Sequence, residues 1–508
     1  MDAPPTATAP TIAAVNDGTP PEKTKLSILS YIWDKDTHLK SAAERKLLRK
    51  LDLSILIIAC LGFFMKFLDQ TNMVNAYVSG MKQDLQMNAN EYTYANTYYT
   101  IGYAIMQIPS TLIVQKVPPR IWLAFAEVGW GAFTFAQAGL RNTDQLYAFR
   151  FLVGLFESSF SPVMIYVMGS WYTHTELAKR ITIFQASAVF GTTFSGYLQA
   201  AVYNNLNGVH GIAGWRWLYI VCGCMTVPVG IATFFFFPDG GPYTTSAWFL
   251  TEDERALAVE RVRKQGTAPP AKITWGTFTR ILGRWRWYAF TLGYILYGCS
   301  SMAGGFFGIW LISEKFSVTD ANVIPTGTWL ISGFCTLVWG FLSDITGSRF
   351  LFVVIPLTLG IIPNAILAAW PPGIGIKEFA FLFSGVQLMP GVFFAWAAEI
   401  CRDDNEERAV IVASMNGLSY AILAWLPILI FPQTMAPDFR YGFPTSLALL
   451  LAAIVAVIGI WLLVKREAKI KDGRTEVEDG VSSEGDAKAK SDRDVDEKRD
   501  AHVEQLAA

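Results

Sequence analysis

Apolar runs of about 20 residues, the length that crosses the hydrocarbon core of a bilayer as a helix, recur along most of this sequence. Twelve can be read, at about 52–76, 92–115, 121–140, 145–172, 181–203, 217–237, 287–312, 323–342, 350–370, 378–400, 409–431 and 443–464. Of 508 residues, 52% are hydrophobic and 16% charged. Mean hydropathy is +0.32 although both ends are polar, so the middle is strongly apolar. The chain reads as an all-α polytopic membrane protein of twelve transmembrane helices whose first partner is the lipid bilayer.

Charge orients it. Lys40, Arg45, Lys46, Arg49 and Lys50 precede the first run, and Lys465, Arg466, Lys469 and Lys471 follow the last. Arg255, Arg261, Arg263, Lys264, Arg280, Arg284 and Arg286 lie between the sixth and seventh. An even number of crossings puts all three regions on one side, and the positive-inside rule makes that side the cytosol, with both termini cytosolic. Residues 1–50 contain no apolar core of a cleaved signal peptide, so the first run is expected to act as its own insertion signal. A net charge of −1 points to no nucleic-acid partner. The six cysteines fall in or beside apolar runs without metal-ligand spacing and read as packing residues. There is no GxxxxGK[ST] phosphate loop and no nucleophile motif, so neither an enzyme nor an ATP-driven pump is expected, and no cofactor or metal.

Buried charge carries the functional signal. Lys66 and Asp69 fall near the far end of the first run, and Arg150 and Glu157 in the fourth, two helical turns apart on one face. A charge at membrane depth costs at least about 2.5 kcal/mol and is seldom kept without a task. An acid and a base facing one cavity suit a carrier of a charged solute and a proton. Lys66 and Asp69 could instead snorkel to the outer interface, and Arg150 could be a structural partner of Asp69. Glu127, in the third run, is a second proton site or a structural hydrogen-bonding group. The run Tyr92 to Thr100, with Thr93, Asn96, Thr97 and Tyr99, is too polar for lipid and suits a helix lining a wet cavity.

The organisation is a cytosolic tail (1–50), a six-helix half (51–237), a cytosolic linker (238–286), a second six-helix half (287–465) and a charged tail expected to be disordered (466–508). Thr251 to Glu254 is a capping box opening a linker helix. The halves echo each other, with Glu176 four residues before Arg180 and Asp404 four before Arg408. Such a six-plus-six parallel repeat is the mark of the major facilitator fold. Gly340, Leu342, Asp344, Gly347 and Arg349 resemble that superfamily's cytoplasmic loop motif, GxLxDxxGxR, in which a tight turn sets an acid and a base to latch helix ends. The matching loop of the first half, Thr111 to Arg120, keeps only Arg120, with Gln115 and Pro118 where acid and glycine would stand.

The stretch Lys66 to Lys82, with Asp69, Gln70, Thr71, Asn72, Asn75, Tyr77 and Gly80, resembles the allantoate-permease branch of the fungal anion:cation symporters, nearest its pantothenate and biotin transporter group. Arg150, Gly154, Glu157 and Pro162, then Trp171, Tyr172, Glu176 and Arg180, resemble the same family. The resemblance covers essentially 50–465. It implies a proton-coupled symporter of a small organic anion, pantothenate or a related vitamin, working by alternating access as a monomer in a fungal plasma membrane. The family commonly follows the first-helix Asp with Arg; here Gln70 stands there, and Lys66, one turn earlier, supplies the charge about 6 Å away. Substrate contacts are then expected from Lys66, Asp69, Gln70 and Arg150, and proton coupling from Glu157 or Glu127. The cytoplasmic gate is expected from Gly340, Asp344, Gly347, Arg349, Glu176, Arg180, Asp404 and Arg408. An exporter of an acidic fungal metabolite on the same scaffold, or a sensor that binds solute without moving it, is the alternative.

Overall fold

Ser41 starts the first helix by accepting the Glu44 backbone N–H at 3.1 Å, and every element that follows among the described residues is helical or a turn. The computed structural model describes residues 40–114, 116–242, 249–264, 275–401 and 404–470. The tail before residue 40, Gln115 and the tail beyond 470 lie outside these.

The first half comprises α1 (Ala42–Asp84), α2 (Glu91–Ile113), α3 (Pro119–Ala136), α4 (Thr143–Trp171), α5 (His174–Leu206) and α6 (Gly214–Phe236). The second comprises α7 (Trp285–Ser313), α8 (Val318–Thr346), α9 (Arg349–Ala369), α10 (Ile374–Ile400), α11 (Glu406–Ile430) and α12 (Gly442–Ile470). Two helices, Glu252–Lys264 and Trp275–Leu282, lie between them. Nine of the twelve, among the described residues, are by themselves long and apolar enough to cross a membrane. The other three are α2, α3 and α5.

Several boundaries differ from the sequence reading, each for a local reason. Helix α1 begins at Ala42, runs through one π-helical turn at Asp52–Leu56 and reaches a kink at Ser79 and Gly80, where Gly80 has a φ of 113°, so it is longer than 52–76. Lys66 and Asp69 therefore sit in its middle, not near its outer end. In α4 the α-helix stops at Glu157 and resumes at Phe160. Pro162 cannot donate to the Ser158 carbonyl and crowds it, so the break falls there. Glu157 thus stands at a helix end rather than mid-helix. Helices α7 and α10 are likewise interrupted, at Met302–Phe306 and Ser384–Gln387. Irregular backbone at membrane depth is tolerated where it faces protein or a wet cavity. Helix α12 runs to Ile470, with Glu467 paired to Arg286, so residues 466–470 are helical rather than disordered tail.

Apolar packing explains how the halves meet. Phe63, Phe160, Phe184 and Trp130 belong to a core of the first half, and Phe290, Phe393, Trp396 and Met415 to one of the second. A third cluster joins both, with Leu68, Met73 and Trp215 of the first half and Phe307, Phe381 and Phe443 of the second. Its members lie towards the outer helix ends. Side-chain hydrogen bonds between the halves fall at the same end. Asn322 donates to Ser79 at 3.0 Å, Thr319 to Asn204 at 3.0 Å, Thr97 to the Ala424 carbonyl at 2.7 Å, and the Gln433 N–H to Asn90 at 2.9 Å. No hydrogen bond or ion pair among the described residues joins the halves directly at the cytosolic end. The side-chain hydrogen bonds between the halves thus lie at the outer end among the described residues.

Helices α2 and α4 cross at two glycines. A Cβ on Gly154 would lie 2.1 Å from the Tyr99 carbonyl oxygen, and one on Gly102 2.3 Å from that of Phe151. This crossing brings Tyr99 and Tyr103 beside the break in α4. Gly154→Val should therefore destabilise the folded protein by about 1–3 kcal/mol and lower its melting temperature in detergent. Gly459→Ala, where nothing lies within 4 Å of the added carbon, is the neutral control. Equal melting of the two variants contradicts the crossing.

Candidate substrate and proton site

Helix α1 is fastened within its own half by buried polar groups. Asn75 donates to Ser195 Oγ at 2.8 Å, and Ser195 donates to Asn72 Oδ1 at 3.1 Å. Asp69 accepts from Asn72 at 3.2 Å and from the Thr226 hydroxyl of α6 at 3.1 Å. The Asp69 carboxylate thus faces α6, and its recorded partners tie α1 to that helix. These bonds hold α1 in fixed rotation, which aims Lys66 and Gln70 towards α2 and α4.

The inner group gathers on that face. Lys66 is only 2% exposed, so it does not snorkel to an interface. Its ammonium donates to the Tyr103 hydroxyl at 3.0 Å and to Ser161 Oγ at 3.2 Å, and lies 4.7 Å from the Tyr103 ring centre. Both acceptors are neutral, and no carboxylate lies within ion-pair distance among the described residues. Glu157 is fully buried; Tyr99 donates to its Oε2 at 2.5 Å and Gln70 at 3.1 Å, and its Oε1 has no partner. The Gln70 amide also donates to the Tyr99 oxygen, at 2.5 Å. Gln70, one turn along α1 from Lys66, joins the Glu157 carboxyl to the face that carries the ammonium, and Tyr99 and Tyr103 lie one turn apart on α2. Lys66 and Glu157 thus face one polar cluster of α1, α2 and α4.

Arg150 lies nearer the outer end. It is 2% exposed, its Nε has no hydrogen-bond partner, and its guanidinium carbon lies 5.6 Å from the Tyr99 ring centre. Arg150 and Asp69 form no ion pair. Glu127 is sealed among α1, α3 and α6. Thr233 donates to its Oε2, and its unpartnered Oε1 would lie 2.3 Å from a Cβ on Gly62. It is packed inside the first half, against Gly62 one turn along α1 from Lys66.

Sequence reasoning missed Tyr99, Tyr103, Ser161 and Thr226 as site residues. Tyr99 lies in the polar run of α2, which signalled a wet face without saying which hydroxyls meet Lys66. Ser161, next to Pro162, had only the break as a clue.

At the cytosolic end the expected gate residues fall in three groups, around Glu176 and Arg180, Asp404, and Arg349. Glu176 binds Lys40 at 2.6 Å and Arg261 of the linker at 2.5 Å; Arg180 binds Asp52 of α1 at 2.6 Å. Asp404 caps α11 by accepting the Glu406 and Glu407 N–H groups, and pairs with Arg280 and Arg284 at 2.9 and 3.2 Å. Arg408 is exposed and has no ion pair among the described residues. The two acid-to-arginine echoes therefore are not equivalent in register. Glu176 is the third residue of its helix after the Thr173 cap; the residue so placed after Asp404 is Glu407, and both are fully buried. Glu407 pairs with Arg284 at 2.5 Å. In the GxLxDxxGxR loop, Arg349 donates to Asp344 at 2.5 Å and Glu399 at 2.8 Å, joining α8, α9 and α10. Gly347 takes a left-handed φ of 66° that ends α8, whereas Gly340 has no neighbour that a Cβ would meet. In the first half Arg120 pairs with Asp239 at 2.7 Å instead.

Residues 59–314 match the family model described as Major Facilitator Superfamily. The chain is 36% identical over 446 residues to the pantothenate transporter FEN2 of Saccharomyces cerevisiae, covering 85% of this chain and 86% of that one. It is 36% identical to the pantothenate transporter liz1 of Schizosaccharomyces pombe, with 78% of each covered. Among solved structures, a bacterial homologue of the human lysosomal transporter Spinster, inward-facing and unoccupied, superposes with a TM-score of 0.58 at 14% identity, covering 81% of this chain and 96% of that one. That likeness speaks to the fold alone.

The linker contacts carry a pH signature. The Lys50 ammonium, 2.7 Å from Glu254, holds that carboxyl below its ordinary range. Burial pushes Asp404 up, but the Glu407 N–H and the charges of Arg280 and Arg284 outweigh it and hold it below its ordinary range. Depressed carboxyls stabilise above their unfolded values and lose that contribution only as pH falls through the folded ones. Hydrogen-exchange protection of the two linker helices, corrected for intrinsic rates, should stay level from pH 8 to about 5 and fall only below about 4. Loosening between pH 7 and 5 contradicts the assignment.

Proposed function

The chain belongs to the Major Facilitator Superfamily, and from that premise we propose that this membrane transporter carries a small organic carboxylate together with a proton, with pantothenate the leading substrate and biotin second. The observation that carries the reading is Lys66, a buried ammonium bonded to two neutral hydroxyls and to no carboxylate. A buried charge without a counter-ion is costly, and a substrate carboxylate can supply the missing partner. The two named pantothenate transporters at 36% identity support the choice of acid.

Glu157 completes the chemistry. An anion at Lys66 and a proton on Glu157 neutralise the same cavity, so each favours the other's binding, and the coupling is reciprocal. Tyr99 and Gln70 hold the carboxyl in place for that exchange. Arg150, nearer the outside and also without an ion-pair partner, attracts the anion on entry. Glu127 is the second proton candidate.

Transport proceeds by alternating access. The halves 51–237 and 287–465 rock about the site while the linker 238–286 straps them, one linker helix on each. The outer bonds at Ser79, Asn90, Thr97 and Asn204 open as cytosolic contacts form. The residues Glu176, Arg180, Gly340, Asp344, Gly347, Arg349, Asp404 and Arg408 shape the cytosolic gate within each half. The carrier works as a monomer at the plasma membrane.

The deciding experiment is labelled uptake by a yeast lacking its own pantothenate carrier. Uptake should rise as external pH falls; transport of neither vitamin by protein at the cell surface contradicts the reading. Lys66→Gln should raise the apparent substrate constant at least about ten-fold, the scale of a lost charge-assisted hydrogen bond. Lys66→Arg should recover part of it, since charge is kept while geometry changes. Lys66→Gln combined with Gln70→Arg should also recover part. Glu157→Gln should abolish pH-driven accumulation yet keep substrate exchange at equal pH. Accumulation by Glu157→Gln in proportion to the pH difference would move the proton site to Glu127.

A further inference from the structure

Every recorded partner of Lys66, Gln70 and Glu157 comes from the first half of the chain. One tyrosine packed on this group comes from the second half, Tyr420 on α11. Its ring lies 5.2 Å from the Tyr103 ring, at 42°, and Tyr103 is the residue whose hydroxyl receives the Lys66 ammonium. Tyr420 is half-buried, and its own hydroxyl has no hydrogen-bond partner among the described residues. One helical turn further out on α11, the Ala424 carbonyl accepts from Thr97, inside the Gln433–Asn90 bond of the same inter-half contact. Tyr420 therefore stands one turn inside the outer contact of the two halves.

We propose that the Tyr420 hydroxyl is the second half's contact to the substrate carboxylate held at Lys66, and so a residue that sets both affinity and the linkage of the two halves by substrate. This rests on the carboxylate-transport reading above. A phenol O–H donates well to a carboxylate, and such charge-assisted bonds are short and strong. With Lys66 on α1 and Tyr420 on α11, one carboxylate of two oxygens spans the cavity. A neutral acceptor would make weaker bonds to the two donors and leave the ammonium without a counter-charge.

The test uses purified full-length protein titrated with pantothenate and, separately, with biotin, following the ligand-induced rise in melting temperature. Tyr420→Phe keeps the ring against Tyr103 and removes only the oxygen. It should weaken carboxylate binding about ten-fold while the unliganded melting temperature stays at the wild-type value. Tyr420→Leu should weaken binding at least as much. In uptake assays the loss in Tyr420→Phe should appear in KM before the maximal rate. Wild-type affinity in Tyr420→Phe overturns the proposal, as does a fall in unliganded melting without change in affinity, which marks a packing role. If Lys66→Gln loses binding while Tyr420→Phe does not, the cation site stands and the Tyr420 contact falls. Wild-type protein binding neither acid overturns the carboxylate reading and this inference with it.

Discussion

An ammonium buried in the middle of a membrane helix, facing hydroxyls and no acid, is the constraint around which the first half is arranged. Lys66 needs a rigid helix to hold it, and the Asn72, Asn75, Ser195, Asp69 and Thr226 bonds supply one by tying α1 to α5 and α6. It needs acceptors that leave its charge available, and Tyr103 and Ser161 do so. It needs an acid on the same polar face that does not pair with it, and the break before Pro162 leaves Glu157 at a helix end, bonded to Gln70 and Tyr99. The glycine crossing of α2 and α4 brings the tyrosines close enough to complete the set.

The cytosolic surface answers to a different requirement. Each linker helix is bound to its own half: Arg261 to Glu44 and Glu176, Arg280 and Arg284 to Asp404 and Glu407. No direct cytosolic ion pair crosses between the halves among the described residues, so moving one against the other breaks none of these. The outer contact is built of apolar packing and a few neutral hydrogen bonds, each worth about 1 kcal/mol net, which can be exchanged without stranding a charge.

Much of this was legible in the chain itself. The twelve apolar runs, the linker and the glycine-acid-arginine loop follow from composition and spacing, because a bilayer enforces both length and period. Lys66, Asp69, Arg150 and Glu157 stood out because charge in an apolar run is rare. Their pairing was not legible. Two turns on one helix suggested Arg150 with Glu157, yet Glu157 accepts from Gln70 and Tyr99 beside Lys66, and α1 proved longer than its apolar run because a π turn and a capped amphipathic start extend it. The echo of Glu176 and Asp404 misled by three residues, since capping by Asp404 passes the buried position to Glu407. Tyr420 carried no local signal; its setting arises only where the two halves face each other.

The central claim is that Lys66 and Glu157 make anion and proton travel together. It is tested most directly in proteoliposomes of the purified protein, starting at equal pH with the membrane potential clamped. An inward pantothenate gradient should acidify the lumen in step with entry of labelled substrate, and the pH change should vanish in Glu157→Gln. Substrate entry without acidification, or acidification that survives the loss of Glu157, contradicts it.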